Sequence, residues 1–202
     1  MAQIGRYQLA LFGWQTMLVA DNFTDELRDI VQQARMVKQA QPQLPVVVYI
    51  DNLRAEPFYA SVLRIMHDPQ YRDFFLRDQA GFIPATTYCR QMQRPATAPY
   101  CLSYYWNWFN DSAIDYYLHS VVQPIVAQSG FDGIFFDGGD GFLRGTFQQA
   151  INVPANASMA TALQQMLKVH LGMANLVTSN NKYTVLRWHS AAKIIKNIYI
   201  YK

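Results

Sequence analysis

The stretch Ser129-Gly-Phe-Asp-Gly-Ile-Phe-Phe-Asp-Gly-Gly-Asp-Gly-Phe142 decides how this chain folds. Ile134-Phe135-Phe136 is a short apolar run that closes on a carboxylate, Asp137, with Gly138, Gly139 and Gly141 directly behind it. An apolar run of about four to six residues ended by turn residues reads as a strand covered on both faces, the kind that parallel sheets use. In a barrel of such strands the reacting groups stand at the C-terminal ends. Asp137 stands there. Asp140 follows in a loop whose glycines let other groups come close.

Outward from that strand, β-type and helical patterns alternate. Tyr7–Gly13 reads as a first strand and Val46–Ile50, β-branched and apolar throughout, as a second, ending in Asp51-Asn52. Cys101–Trp106 reads as a third, Asp132–Phe136 as the fourth and Tyr183–Trp188 as the fifth. Between them, Thr24 caps a helix running toward Ala40, and helical segments are expected around Tyr59–Met66 and Tyr71–Arg77. Asp111 or Ser112 caps a helix with Ile114, Leu118, Val121, Val122, Ile125 and Val126 on its apolar face, which Pro124 keeps from running straight. Asn156 or Ser158 caps another whose apolar residues are Leu163, Met166, Leu167, Leu171, Ala174 and Val177, stopped at Asn180-Asn181. Residues 81–99, rich in Pro, Thr and Gln, read as a long excursion of functional interest.

Strand–helix–strand alternation predicts parallel strands joined by right-handed crossovers. The expected fold is α/β: an incomplete (β/α) TIM-type barrel of about five parallel strands over residues 1–190, with an atypical Lys- and Ile-rich tail at 191–202. A full barrel closes on eight strands and takes about 250 residues. With 202 residues here, the chain is either a truncated barrel or an open, doubly wound sheet.

The net charge of +3 is unevenly spread: every Asp and Glu lies at or before Asp140, and the basic residues beyond it are scattered. A scattered set does not make a nucleic-acid patch, so no nucleic-acid partner is expected. No apolar stretch reaches the roughly 18 residues of a membrane span, so no membrane partner is expected either. The N-terminus lacks the features of a signal peptide. Sequons at Asn22, Asn110 and Asn156, of which Asn110 has the alternative of capping a helix, nevertheless lean toward a secreted or lumenal origin, given a signal that this copy has lost. Cys89 and Cys101 flank a polar loop; they pair in an oxidising compartment and remain thiols in the cytosol.

Tyr105-Trp-Asn-Trp-Phe-Asn-Asp-Ser-Ala-Ile-Asp-Tyr-Tyr117, followed by Gly130-Phe-Asp-Gly-Ile-Phe-Phe-Asp-Gly-Gly-Asp-Gly141, resembles uncharacterised glycoside-hydrolase-like barrel proteins of microbial eukaryotes. Through the pattern Gly-Phe-Asp-Gly-(apolar)3-Asp it is also distantly similar to the barrel glycosidases that include endo-α-1,4-polygalactosaminidase. The resemblance spans most of Tyr7 to Trp188. It implies a TIM-type barrel, a poly- or oligosaccharide substrate, and Asp137 where such families place a catalytic or sugar-binding carboxylate. The later barrel strands have no counterpart here, which keeps a catalytically inactive, carbohydrate-binding barrel open beside the hydrolase.

Glycoside hydrolysis needs two carboxyls across the scissile bond. The strand-end acids are Asp51, Glu56, Asp137 and Asp140, with Asp137 as nucleophile or base, Asp51 as proton donor or sugar ligand, and Asp140 close enough in sequence to share the sugar. Each has a turn-forming alternative, because Asp before Gly commonly bonds loop amides. Asp132, ahead of its strand, reads as structural. Trp14, Tyr105, Trp106 and Trp108 offer flat faces for sugar rings, and Gln15, Asn52 and Asn107 offer hydrogen bonds to hydroxyls; the alternative for any aromatic is the core. His67, His119, His170 and His189 have no metal-ligand spacing, no cofactor loop is present, and neither metal nor cofactor is expected.

Overall fold

The computed structural model describes residues 9–13, 26–87, 102–188 and 197–201. In chain order these form β1 (Ala10–Phe12), α1 (Glu26–Ala40), β2 (Val46–Asp51), β3 (Arg54–Ala55), α2 (Ala60–Met66), a 3-10 turn (Pro69–Phe74), β4 (Arg77–Asp78), β5 (Gly81–Phe82), β6 (Pro84–Thr87) and β7 (Leu102–Tyr105). After these come α3 (Asp111–Tyr116), a π-helical turn (Tyr117–Val122), α4 (Gln123–Val126), β8 (Gly133–Asp137), α5 (Gly139–Leu143), a 3-10 turn (Thr146–Gln149), α6 (Met159–Ser179), β9 (Tyr183–Trp188) and β10 (Asn197–Tyr201).

The main sheet runs β1-β2-β8-β9-β10. The first four strands are parallel, and β10 pairs antiparallel with β9 at the edge. Parallel strands are added in one direction with no reversal of order, so crossovers of one hand place every helix on one face. Alternate side chains bear this out. Val46, Val48 and Ile50 of β2 and Ile134 and Phe136 of β8 join the core with Ile30, Val31, Ala34 and Val37 of α1, and Val122, Val126, Met166, Val169 and Met173. On the opposite face, Tyr49 and Phe135 stay partly exposed and stack at 5.8 Å, and Leu11 of β1 is half exposed.

One strand expectation and one helix expectation need correction. Four parallel strands are present among the described residues, not five, because Leu102–Tyr105 is the middle strand of a separate antiparallel sheet, β3-β7-β6. The run Leu-Ser-Tyr-Tyr carries three hydroxyls, and a strand inside a parallel sheet would be apolar nearly throughout. Pro69–Phe74 is a 3-10 turn ending before β4, where a longer helical segment had been expected.

The helix from Asp111 is not a regular α-helix up to Pro124, since α3 passes through the π-helical turn before α4. Asn110, whose side chain accepts from the Ser112 N–H, is its cap in place of Asp111 or Ser112. The backbone widens to a π-turn just ahead of Pro124, a common way to accommodate a missing N–H. Ser158 and Thr161 form the reciprocal cap of α6, and Asn181, at φ 56°, takes the left-handed conformation that stops it. Among the described residues no helix is long and apolar enough to cross a membrane.

Candidate functional site

Asp51 ends β2 and Asp137 ends β8, and the two are direct partners in the parallel register. In-register residues of neighbouring parallel strands point to the same face, so both carboxylates share the face of Tyr49 and Phe135. Gly138 makes the close approach possible. Its φ is +89°, and a Cβ at that position would lie 2.7 Å from Asp51 Oδ1.

The two acids live differently. Asp51 is 5% exposed and fully engaged. Its Oδ1 accepts from the backbone N–H groups of Leu53 (2.8 Å) and Arg54 (2.9 Å), closing the turn after β2. Its Oδ2 accepts from Arg54 Nε at 2.6 Å and pairs with Arg54 Nη2. The guanidinium also lies 3.3 Å from Glu56 Oε1, so Glu56, 2% exposed, completes an acid–base–acid triad in which both acids are buried and Arg54 is partly exposed. Burial pushes the Asp51 carboxyl above its ordinary range; the Arg54 charge and the turn amides oppose that rise.

Asp137 is partly exposed at the strand end. Tyr49 Oη donates to its Oδ2 at 3.4 Å, and its Oδ1 accepts from the Gly138 N–H at 2.9 Å. Burial, then the neighbouring Asp51 and Asp137 charges, push the Tyr49 phenol well up, which keeps it a donor.

The residue after Asp51 turns its side chain the other way, toward α6. Asn52 donates its backbone N–H to Asp137 O (2.8 Å), and its own carbonyl accepts from Trp108 Nε1 (3.0 Å). Its side-chain Nδ2 meets His170 Nε2 of α6 at 2.8 Å. With Nε2 as acceptor, His170 carries its proton on Nδ1. Burial lowers its pKa from 6.5 to about 4. Asn52 Oδ1, Trp106 Nε1 and Tyr117 Oη, all buried, have no hydrogen-bond partner among the described residues.

Trp106 and Trp108 are 1% and 0% exposed, stacked on one another at 5.4 Å and edged by Tyr117. Neither presents an indole face to solvent; the core alternative applies to both. Asn107 is buried, and its amide donates to the carbonyls of Asp73 and Asn152, stapling two loops. Asn52 is equally buried. Tyr105 is partly buried in β7, opposite Arg54. The backbone of Asp140 belongs to α5, but its side chain lies outside the described ones. Trp14, Gln15, Cys89, Cys101 and the Asn22 sequon also lie outside the described residues.

The structure therefore brings together Asp51 and Asp137 at neighbouring strand ends, while Asn52 turns to His170 of α6. Three contributors were not singled out from sequence. Tyr49 was legible, since it stands two residues before Asp51 and so on the same strand face. Arg54 was half legible as a cation three residues after a turn acid. His170 had no signal, because nothing in sequence ties it to Asn52. Among the described residues no three His, Cys, Asp or Glu side chains gather as a metal set would.

No protein-family profile and no curated protein matches the chain. Solved structures do. The chain is similar to an alpha-galactosidase from Thermus thermophilus in complex with stachyose, with a TM-score of 0.43 and 13% identity over 78% of this chain and 27% of that one. It is also similar to an alpha-amylase from Geobacillus thermoleovorans complexed with acarbose, with a TM-score of 0.41 and 15% identity over 81% of this chain and 29% of that one. The chain thus spans less than a third of either protein's length.

Proposed function

We propose that the four parallel strands are consecutive staves of a (β/α) barrel of the glycoside-hydrolase type, and that Asp137 meets a poly- or oligosaccharide at its mouth. One observation carries the reading: two carboxylates in register on one face at the C-terminal ends of adjacent parallel strands. Neighbouring strands lie about 4.8 Å apart. Glycoside hydrolysis uses two carboxyls across the scissile bond, and adjacent strand ends bring the two aspartates' backbones within one strand spacing of each other. Asp137, the exposed member, is the nucleophile or base. Tyr49 donates to it and would steady its charge.

Asp51 supports a second reading. Both Asp51 oxygens already accept hydrogen bonds from a guanidinium and two turn amides, so the carboxyl is turned into its own turn and not toward a bound sugar. Its engagement favours a barrel segment that binds carbohydrate without cleaving it, with Asp137 and Tyr49 as hydroxyl ligands.

The test is Asp137→Asn beside the unmutated chain, assayed for release of reducing ends and, by calorimetry, for oligosaccharide binding. Hydrolysis by the unmutated chain that vanishes in the variant, with its melting temperature kept, fits the hydrolase. Binding without hydrolysis fits the second reading. Hydrolysis unchanged in the variant rejects Asp137 as the reacting group.

A further inference from the structure

Two of the sequons, Asn110-Asp-Ser112 and Asn156-Ala-Ser158, lie among the described residues, and the fold treats them differently. Asn156 stands exposed in the turn before α6, where the Ala157 N–H donates to Pro154 O at 2.8 Å. Its side-chain amide makes no hydrogen bond among the described residues. Ser158 is the N-cap of α6, extended at φ −126° and ψ 166°, so the whole sequon lies outside the helix. Asn110 is engaged at both side-chain atoms. Its Oδ1 accepts from the Ser112 N–H at 3.0 Å, and its Nδ2 donates to Asp73 O at 3.3 Å. Ser112 is the second residue of α3, so this sequon runs into a helix.

We propose that Asn156 is an N-glycosylation site and that Asn110 is not. The acceptor is the side-chain amide of Asn-X-Ser/Thr, and the donor is an oligosaccharide carried on a lipid diphosphate in the secretory lumen. Asn156 Nδ2 bonds to C1 of the first sugar and gives up one proton. The bond from C1 to the diphosphate oxygen breaks, and the lipid diphosphate leaves. At Asn156 the sugar enters solvent, and no hydrogen bond of the fold is lost. At Asn110 it would replace a hydrogen of the amide that reaches Asp73 O, beside Asn107 and Asn152.

Local conformation separates the two in the same direction. A transferase must seat the asparagine and the hydroxyl two residues on together, and residues two apart on a helix do not face each other. Formation of α3 therefore withdraws Ser112 from Asn110, whereas Asn156 and Ser158 stay in turn and extended backbone after α6 has formed. The proposal carries a lumenal route for the chain with it.

Peptide mapping by mass spectrometry tests this on the full chain from two sources: the cells that make it, and a eukaryotic host in which a cleavable leader sends it through the lumen. Treatment with peptide-N-glycosidase F turns a glycosylated Asn into Asp, so each sequon is read separately. Asn156 should be converted in most copies and Asn110 in few. In the host, Asn156→Gln should lose that glycan, seen as one step of gel mobility, and keep the melting temperature of the deglycosylated chain. Ser158→Thr, which retains both the sequon and a capping hydroxyl, should keep the glycan. An unmodified Asn156 from either source overturns the proposal. So does Asn110 occupied as fully as Asn156.

Discussion

Asp132 and Asp137 flank a single strand, β8, one at each pole. At the N-terminal pole, Asp132 is tied down: Lys38 of α1 pairs with it at 2.6 Å, and its Oδ2 accepts from the Val46 N–H at 2.7 Å. Lys182 sits nearby, donating to the carbonyls of Gln128 and Phe131. That carboxylate fastens a helix and two strands together. At the C-terminal pole, Asp137 is partly exposed, and the Tyr49 hydroxyl reaches it over 3.4 Å, the loose end of hydrogen-bond range. The barrel reading proposed above assigns stability to the lower pole and chemistry to the upper one.

The division breaks most visibly if Asp137 is replaced. Asp137→Asn should cost a hydrolytic activity on the order of a thousandfold, or about 4 kcal/mol of transition-state stabilisation. Its urea midpoint should barely move. An equal loss of stability would make Asp137 a fastening like Asp132.

Arg54→Met sharpens the contrast within the upper pole. It leaves Asp51 and Glu56 buried without a cation, a change that costs about 3–5 kcal/mol. Those acids must then be neutral to stay buried, so the penalty should grow as pH rises above the ordinary carboxyl range. Chemical denaturation across pH reads both. A mild, pH-independent loss would show that the triad is not buried as a unit.

Much of this was legible from local signals. Val46–Ile50 and Asp132–Phe136 read as parallel strands because their apolar runs end in turn residues, and the observed strands, Val46–Asp51 and Gly133–Asp137, differ only at their ends. The Ser158 cap and the Asn180-Asn181 stop bounded α6. Less legible were pairings set by partners distant in sequence. Leu102–Tyr105 has strand character, but nothing local says that Arg54–Ala55 and Pro84–Thr87 are its antiparallel neighbours. Trp106 and Trp108 follow that strand into the core for the same reason. On α6, helical spacing picks out Leu163, Leu167 and Leu171 together with Met166 and Val177, and nothing local separates the exposed three from the buried two.

His170 gives the pH arm of the comparison. Its folded pKa, about 4, lies below the unfolded 6.5, so the unfolded chain binds the extra proton first. Stability from this group is therefore complete above pH 6.5 and lost as pH falls toward 4, by up to about 3 kcal/mol. His170→Leu should be less stable at pH 7 but flatter between pH 6.5 and 4, measured by urea midpoints. An unchanged slope would mean that the imidazole is not held neutral against Asn52.

The smallest effect belongs to the lower pole. Asp132→Ala strands the Val46 N–H and should cost about 1–3 kcal/mol, seen as a lower melting temperature with activity per folded molecule unchanged.

Carboxyl-selective 13C NMR of the aspartates, recorded as an oligosaccharide is added, bears most directly on the claim that the upper pole faces sugar. The Asp137 resonance should shift in a saturable way while Asp132 stays fixed. A bound saccharide that leaves Asp137 unmoved, or moves Asp132 as far, would contradict the account.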